Sequence, residues 1–393
     1  MPLLQFKEED KTEKKRLSLS LQATDQCTQQ CTYCYERQSE RNKGQMEADT
    51  AKNAITFYME RDDEFENVSI DFFGGEPFLA FSLIKEVIEW FFSRSWKKRA
   101  YFTIATNGTI LTPEIKEWLA KYSKHLTLAF SLDGCKEVHD MNRCDSYDKV
   151  IENLPFFRKY WPYQSTKFTV NDRTIPLLAK NVLYMEELKL NFIGGIVLED
   201  IWGDAERKKE LLRIYEDQLA TLVEFYSNRS DLFPPPPLFP VLPEYLGRPR
   251  SQIDQLNKET MRFCGAGHEM VTIDVDGTIA PCHRFLTLCT GKPIPTEPVN
   301  RQTRWQPEKC AQCQFQLLCP TCAGFNYQEN GDTGIRTTYH CEAFKIGLRA
   351  ACDVEALRLS RLSDSDIDRF SEEEKEAHRR RLDTVLNIIE EEN

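Results

Sequence analysis

Three cysteines fall within eight residues, Cys27-Thr28-Gln29-Gln30-Cys31-Thr32-Tyr33-Cys34. They follow the alternating run Leu17-Ser18-Leu19-Ser20-Leu21, whose period of two predicts a strand. A loop leaving a strand end has no ladder to maintain, so it can fold three sulfurs around one inorganic centre. On a cubic iron–sulfur cluster three thiolates leave one iron without a protein ligand, where full cysteine ligation uses four. A structural zinc site is the competing reading, but zinc usually takes four ligands in two pairs rather than one triplet.

The chain holds fourteen cysteines in 393 residues. The cytosol keeps thiols reduced, so this density points to metal ligation rather than disulfides. No apolar run approaches the roughly 18–20 residues of a membrane span. The stretch from Met1 to Arg16 is mostly charged and has no apolar signal-peptide core. A cytoplasmic protein without membrane attachment is expected. The net charge of −11 argues against nucleic acid as the main partner and suits a basic peptide. At 41% hydrophobic residues, the chain can bury an ordinary core, as two domains or one large domain with an appendage.

From 17 to about 200 strands and helices alternate. Strands are predicted at Leu17–Leu21, Val68–Phe73, Tyr101–Ala105, Leu126–Ser131, Phe168–Val170 and Phe192–Val197. Helices are predicted at Asp49–Arg61, Phe81–Phe92, Pro113–Tyr122, near Tyr147–Tyr160 and at Ile175–Leu188. Six such units imply an α/β fold with a parallel sheet, closed or partly closed into a barrel. In barrels of this type the loops at the C-terminal strand ends form the site. Three polar loops fall there: Gly74-Gly75-Glu76-Pro77, Thr106-Asn107-Gly108, and Ser131-Leu132-Asp133-Gly134 with His139 and Arg143 following. Glycines admit close backbone approach, Glu76 offers a carboxylate to an ammonium group, and Arg143 a fork to a carboxylate. Simple turns and a surface ion pair at Arg143 are the plainer alternatives. His139 reads as structural, and Cys135 and Cys144 as non-ligands.

The triplet spacing C-x3-C-x2-C, with Tyr33 before the third cysteine, resembles the signature of radical S-adenosylmethionine (SAM) enzymes. The later loops resemble that family's GGE motif and its Ser…Arg pair. The resemblance implies a partial (β/α)6 TIM-like barrel and a [4Fe-4S] cluster on Cys27, Cys31 and Cys34 that binds SAM and cleaves it to a 5′-deoxyadenosyl radical. It implies SAM contacts from Tyr33, Gly74, Gly75, Glu76, Thr106, Asn107, Ser131 and Arg143.

Beyond a predicted long helix at Ala205–Ser227 and the polyproline-type run Phe233–Leu238, read as a bridge between domains, lies a cysteine-rich region. Val271–Ile279 predicts a hairpin turning at Asp276-Gly277. Cys264, Cys282, Cys310, Cys313, Cys319, Cys322 and Cys341 give seven thiols in 78 residues, one short of two four-cysteine clusters. Their order is similar to the SPASM extension of radical SAM enzymes, although Pro320 and Thr321 stand where that pattern usually has three residues. The resemblance implies one auxiliary cluster on Cys264, Cys282 and Cys322, with an open iron or a fourth ligand such as His268 or Cys289. It implies a second on Cys310, Cys313, Cys319 and Cys341, making three [4Fe-4S] clusters in all. Cys352 reads as a buried thiol. The expected divisions are a tail (1–16), the barrel (17–203), a bridge (204–259), the SPASM domain (260–350), and a charged helix and tail (351–393).

Anaerobic sulfatase maturases resemble this architecture but carry Asp directly after the equivalent of Cys282, acting as a base. Here His283 stands there, in a Cys-His-Arg run similar to maturases of ribosomally made peptides that form thioether or carbon–carbon cross-links. Proton transfer by His283 and simple packing beside a cluster are equal readings. The expected partners are a precursor peptide and a reductant such as flavodoxin or ferredoxin. With sixteen residues before the first strand, leader recognition is expected on another surface or a separate protein. A sulfatase-maturase-like activity, a small-molecule radical SAM dehydrogenase or mutase, and an iron–sulfur electron carrier are the alternatives; a carrier has no use for the SAM loops.

Overall fold

Leu17, Leu19 and Leu21 are at most 1% exposed, while Ser18, Ser20 and Gln22 alternate onto the opposite face of β1 (Arg16–Thr24). The same alternation continues through β2 (Asn67–Gly74), β3 (Arg99–Thr106) and β4 (Leu126–Phe130). Val68, Ile70, Phe72, Phe102, Ile104, Leu126 and Leu128 join the leucines of β1 in one core beneath the helices. Burying each such side chain contributes roughly 1.5–3 kcal/mol, so this shared face fixes the register.

In this computed structural model, described for residues 15–38, 44–229, 231–240, 264–288, 307–313, 315, 319, 321–361 and scattered positions between 371 and 387, the strands run parallel. A second pair, β5 (Thr166–Val170) and β6 (Phe192–Ile196), is also parallel. A single bridge from Ser131 to Lys167 joins β4 to β5, which continues the half-barrel. Helices α1 (Ala48–Glu60), α2 (Phe81–Phe92), α3 (Pro113–Tyr122), α4 (Lys136–Arg143), α5 (Tyr147–Tyr160) and α6 (Leu178–Glu187) fill the connections. Pro113 opens α3 behind Thr112, whose hydroxyl accepts from Ile115 N at 3.3 Å. The fold is thus the expected α/β partial barrel. Helix α4 was not expected; it is short and strongly polar, so no apolar periodicity announces it.

Both edges of the half-barrel are covered. On the β1 side, β7 (Met270–Ile273) pairs in parallel with β1, Ser18 to Met270 through Leu21 to Ile273. The hairpin partner β8 (Ile279–Ala280) then pairs with β7. The cysteine-rich region therefore begins as an extension of the barrel sheet, and hydrogen bonding crosses the boundary expected at 204–259. The hairpin turn also differs from expectation. Five residues, 274–278, connect the strands, because Asp274 N donates to Thr278 O at 2.8 Å and Gly277 N to Asp274 O at 2.9 Å. On the β6 side, Gly194 N donates to Pro236 O at 3.1 Å, so the polyproline run caps the last strand. The rest of the expected bridge, with Leu242-Pro243 and Arg248-Pro249, lies outside the described residues.

Helix α7 (Ala205–Ser227) has the predicted bounds, with Asp204 accepting from Arg207 N at 2.9 Å. It packs on a helix spanning Cys341–Ser360. Arg358 on that helix donates to the carbonyls of Tyr226, Arg229 and Leu232 at 2.7–2.9 Å, closing the end of α7. Residues 351–360, expected to open the charged C-terminal helix and tail, continue this packed helix, with Cys352 wholly buried. The final residues, 388–393, lie outside the described residues.

Candidate active site at the barrel mouth

The Cys27–Cys34 loop crosses the C-terminal end of β2. Gly75 N donates to Thr24 O at 2.9 Å and Glu76 N to Gln26 O at 2.8 Å. A Cβ on Gly75 would lie 2.1 Å from Gln26 O, and one on Gly74, at φ +130°, 2.1 Å from Thr24 O. The Gly-Gly pair therefore admits the cysteine loop's own backbone. Glu76 is fully buried and accepts from Phe78 N (3.1 Å), Thr106 Oγ1 (3.0 Å) and Asn107 N (2.8 Å). Its carboxylate thus ties β2 to β3. Burial raises its pKa to about 7 against those hydrogen bonds. Asn107 in turn donates to Thr28 Oγ1 at 3.0 Å and to Cys27 Sγ at 3.9 Å.

On the other side the loop rests on α4. Thr32 N donates to Asn142 O at 2.9 Å. Asp133, wholly buried, accepts through Oδ2 from Tyr33 OH (2.7 Å) and Asn142 Nδ2 (3.1 Å), and Arg143 Nε lies 3.1 Å away. Its Oδ1 accepts from Thr169 N at 3.2 Å, reaching β5. Arg143 also directs Nη1 at Gln29 Oε1 (3.5 Å) and Cys31 Sγ (3.9 Å). Burial opposes the arginine's charge, but Asp133 holds its pKa above the ordinary value. His139 accepts from Asp133 N at 3.2 Å on Nδ1, so Nε2 carries the proton toward Ser146 Oγ at 3.0 Å. Gln29 Nε2 reaches the same hydroxyl at 2.6 Å. Ser131 closes β4, its N–H on Thr106 O at 3.1 Å.

Seven further cysteines fall into two groups. Cys264, Cys282 and Cys322 interact electrostatically with one another, and Cys310, Cys313, Cys319 and Cys341 do so separately. Buried Arg336 faces the second group. His268 turns elsewhere, its Nε2 3.1 Å from Glu64 Oε1, and Cys289 lies outside the described residues. Cys144 donates to Gln30 O at 3.2 Å, and Cys135 N donates to Asn181 Oδ1 at 2.9 Å.

Residues 21–175 match the model of the radical SAM superfamily. That segment is a radical SAM domain. Over 359 residues it is 22% identical to a cysteine-type anaerobic sulfatase-maturating enzyme of Clostridium perfringens, covering 82% of this chain and 92% of that one. It is 28% identical over 173 residues to an uncharacterized protein, MJ0907, of Methanocaldococcus jannaschii, a match spanning 42% of this chain and 57% of the relative. The radical SAM fold also matches the solved structure of anSMEcpe with bound AdoMet at a TM-score of 0.64 and 20% identity, over 86% of this chain and 96% of that one. Streptococcus suis SuiB bound to its precursor peptide SuiA matches at 0.51 and 17% identity, over 83% and 76%.

A radical SAM enzyme implies a four-iron cluster and SAM, and the residues at the mouth fit them. Two of the three thiols meet N–H donors: Gln29 N lies 3.4 Å and Asn107 Nδ2 3.9 Å from Cys27 Sγ, and Arg143 Nη1 lies 3.9 Å from Cys31 Sγ. Such donors stabilise iron-bound thiolates. Burial pushes the Cys31 thiol up to about 12, so a metal centre is what would hold it deprotonated. Gln22 Oε1, buried at the end of β1, has no hydrogen-bond partner among the described residues and leaves an acceptor for a ligand.

His283 stacks on Phe73 at 4.6 Å and more loosely on Tyr35 at 6.0 Å. Burial, with help from Arg284 and Lys167, lowers its pKa to about 4, so the ring is neutral near pH 7. Asp133 and Gln29 carry the site's internal bonding yet drew no functional reading from sequence. Asp-Gly looks like a turn, and only α4 folding back shows what the carboxylate meets.

Proposed function

We propose that this chain is a radical SAM peptide maturase that abstracts a hydrogen atom from a side chain of a ribosomally made precursor and forms a thioether or carbon–carbon cross-link, 5′-deoxyadenosine carrying off that hydrogen atom, a base taking the second proton, and the auxiliary clusters being what would take up the remaining electron. The observation that carries this reading is that ten cysteines fall into three sets of electrostatic neighbours, one at the barrel mouth and two in the cysteine-rich region. When bound, the cluster at Cys27, Cys31 and Cys34 and its SAM supply one-electron sulfonium cleavage. The chain's own residues do the rest. Asn107, the Gln29 amide and Arg143 hold the sulfurs; Tyr33, the Gly74–Glu76 backbone, Thr106, Ser131 and Gln22 line the end where SAM docks. The buried walls exclude water that would quench a radical.

Cys264, Cys282 and Cys322 hold one auxiliary cluster with an iron open to substrate or a further ligand, and Cys310, Cys313, Cys319 and Cys341 hold the other. His283, neutral and partly stacked, accepts a proton through its ring edge. Residues 17–203, 204–259 and 260–350 act as barrel, bridge and auxiliary-cluster unit. A reducing cytosol with a flavodoxin or ferredoxin suits such thiolates; no helix among the described residues is long and apolar enough to cross a membrane. SuiB, solved with its precursor peptide, supports the substrate class. A sulfatase-maturase-like activity is the second reading, favoured by the long match to the Clostridium perfringens enzyme. Incubating anaerobically reconstituted protein with the peptide of a small neighbouring reading frame separates them. Loss of two hydrogens from that peptide supports cross-linking; oxidation only of a sulfatase-derived cysteine peptide overturns it.

A further inference from the structure

Tyr35 directly follows Cys34, Arg284 stands two residues after Cys282, and Phe325 three after Cys322. In the fold these three meet. The Arg284 guanidinium carbon lies 3.9 Å from the Tyr35 ring centroid and 4.9 Å from that of Phe325. Its Nη1 is 3.4 Å from Glu199 Oε1, in the loop beyond β6. One cation thus touches a ring from the barrel's cysteine loop and a ring from the cysteine-rich region. The backbone N–H of Arg284 also serves the Cys282 thiol, and its charge acts on Cys322, where burial is the larger, opposing influence. Arg336, not Arg284, faces the Cys310 group.

We propose that Arg284 is a positioning residue that sets the reduction potential of the Cys264/Cys282/Cys322 site and fixes that site against the barrel's cysteine loop. This rests on the reading of those thiols as cluster ligands. One-electron reduction adds a negative charge to the site. A cation fixed between rings, with little water to screen it, stabilises that added charge more than a solvated lysine would. Glu199 works against it by neutralising part of the field. The two substitutions therefore have opposite signs.

The test is a redox titration with dithionite, followed by electron paramagnetic resonance, on full-length protein reconstituted in a Cys27/Cys31/Cys34→Ala background. Arg284→Gln shifts one auxiliary signal to a more negative potential, Arg284→Lys shifts it less, and Glu199→Gln moves it positively. The Cys310-group signal stays in place and iron per chain is unchanged. Unmoved potentials with full iron content overturn the inference alone. Should Arg284→Gln fail to fold, the Lys and Glu199 variants carry the same decision. Absence of iron and sulfide from the Cys264 group in the parent protein overturns the cluster reading itself.

Discussion

Arg143 and Asp133 form a buried ion pair, Nε 3.1 Å from Oδ2, that joins α4 to the end of β4 directly beneath the cysteine loop. The arginine passes that constraint on through Nη1 to Gln29 and Cys31, and the carboxylate passes it on to Tyr33. The barrel-mouth loop is therefore held from below by charge and from the side by the Gly74–Gly75 contact.

Removing one partner of such a pair leaves the other buried and uncompensated, which costs about 3–5 kcal/mol. Asp133→Ala is expected to lose stability on that scale in chemical denaturation. It should also weaken iron retention at the barrel mouth before the cysteine-rich region is affected.

Gly75→Ala sets a methyl carbon 2.1 Å from Gln26 O, a contact backbone cannot yield to without moving the loop. We expect this single methyl to remove the iron bound at Cys27, Cys31 and Cys34 while the auxiliary sites keep theirs. Iron and sulfide analysis against wild type checks it; full iron would show that the loop adapts.

His139 gives a pH dependence with a definite sign. Burial is the main cause lowering its pKa from 6.5 to about 4, so the fold disfavours the imidazolium. Between those values the unfolded chain binds a proton that the folded one does not, and stability falls as pH drops from about 6.5 toward 4. At 1.36 kcal/mol per unit the loss is on the order of 3 kcal/mol. Unfolding free energies across this range should show the slope in wild type and lose it in His139→Gln.

Cys310→Ala with Cys313→Ala removes half of the second group. Iron content should fall and peptide product disappear, while SAM cleavage uncoupled from product continues. Loss of cleavage as well would place this group upstream of the barrel chemistry.

Much of this was legible in the sequence where local chemistry and tertiary packing agree. Helices α2, α3, α5 and α7 have the bounds that apolar periodicity and Pro113 announce. The partition of the seven distal cysteines into two ligand sets is what the resemblance implies. What escaped depends on distant contacts. Nothing near Asp133 signals that Tyr33, a hundred residues earlier, donates to it. The hairpin's five-residue turn depends on Asp274, buried at 2% exposure, which a two-residue reading leaves inside a strand. That β7 would pair with β1 is likewise set by an exposed barrel edge, not by its own residues.

The most direct measurement is 5′-deoxyadenosine formation from SAM by protein reconstituted anaerobically with iron and sulfide and reduced with dithionite. Wild type is predicted to form it, and Cys27→Ala, Cys31→Ala and Cys34→Ala to form none. A reconstituted protein that binds zinc instead of iron, or a triple variant that still cleaves SAM, would contradict the account.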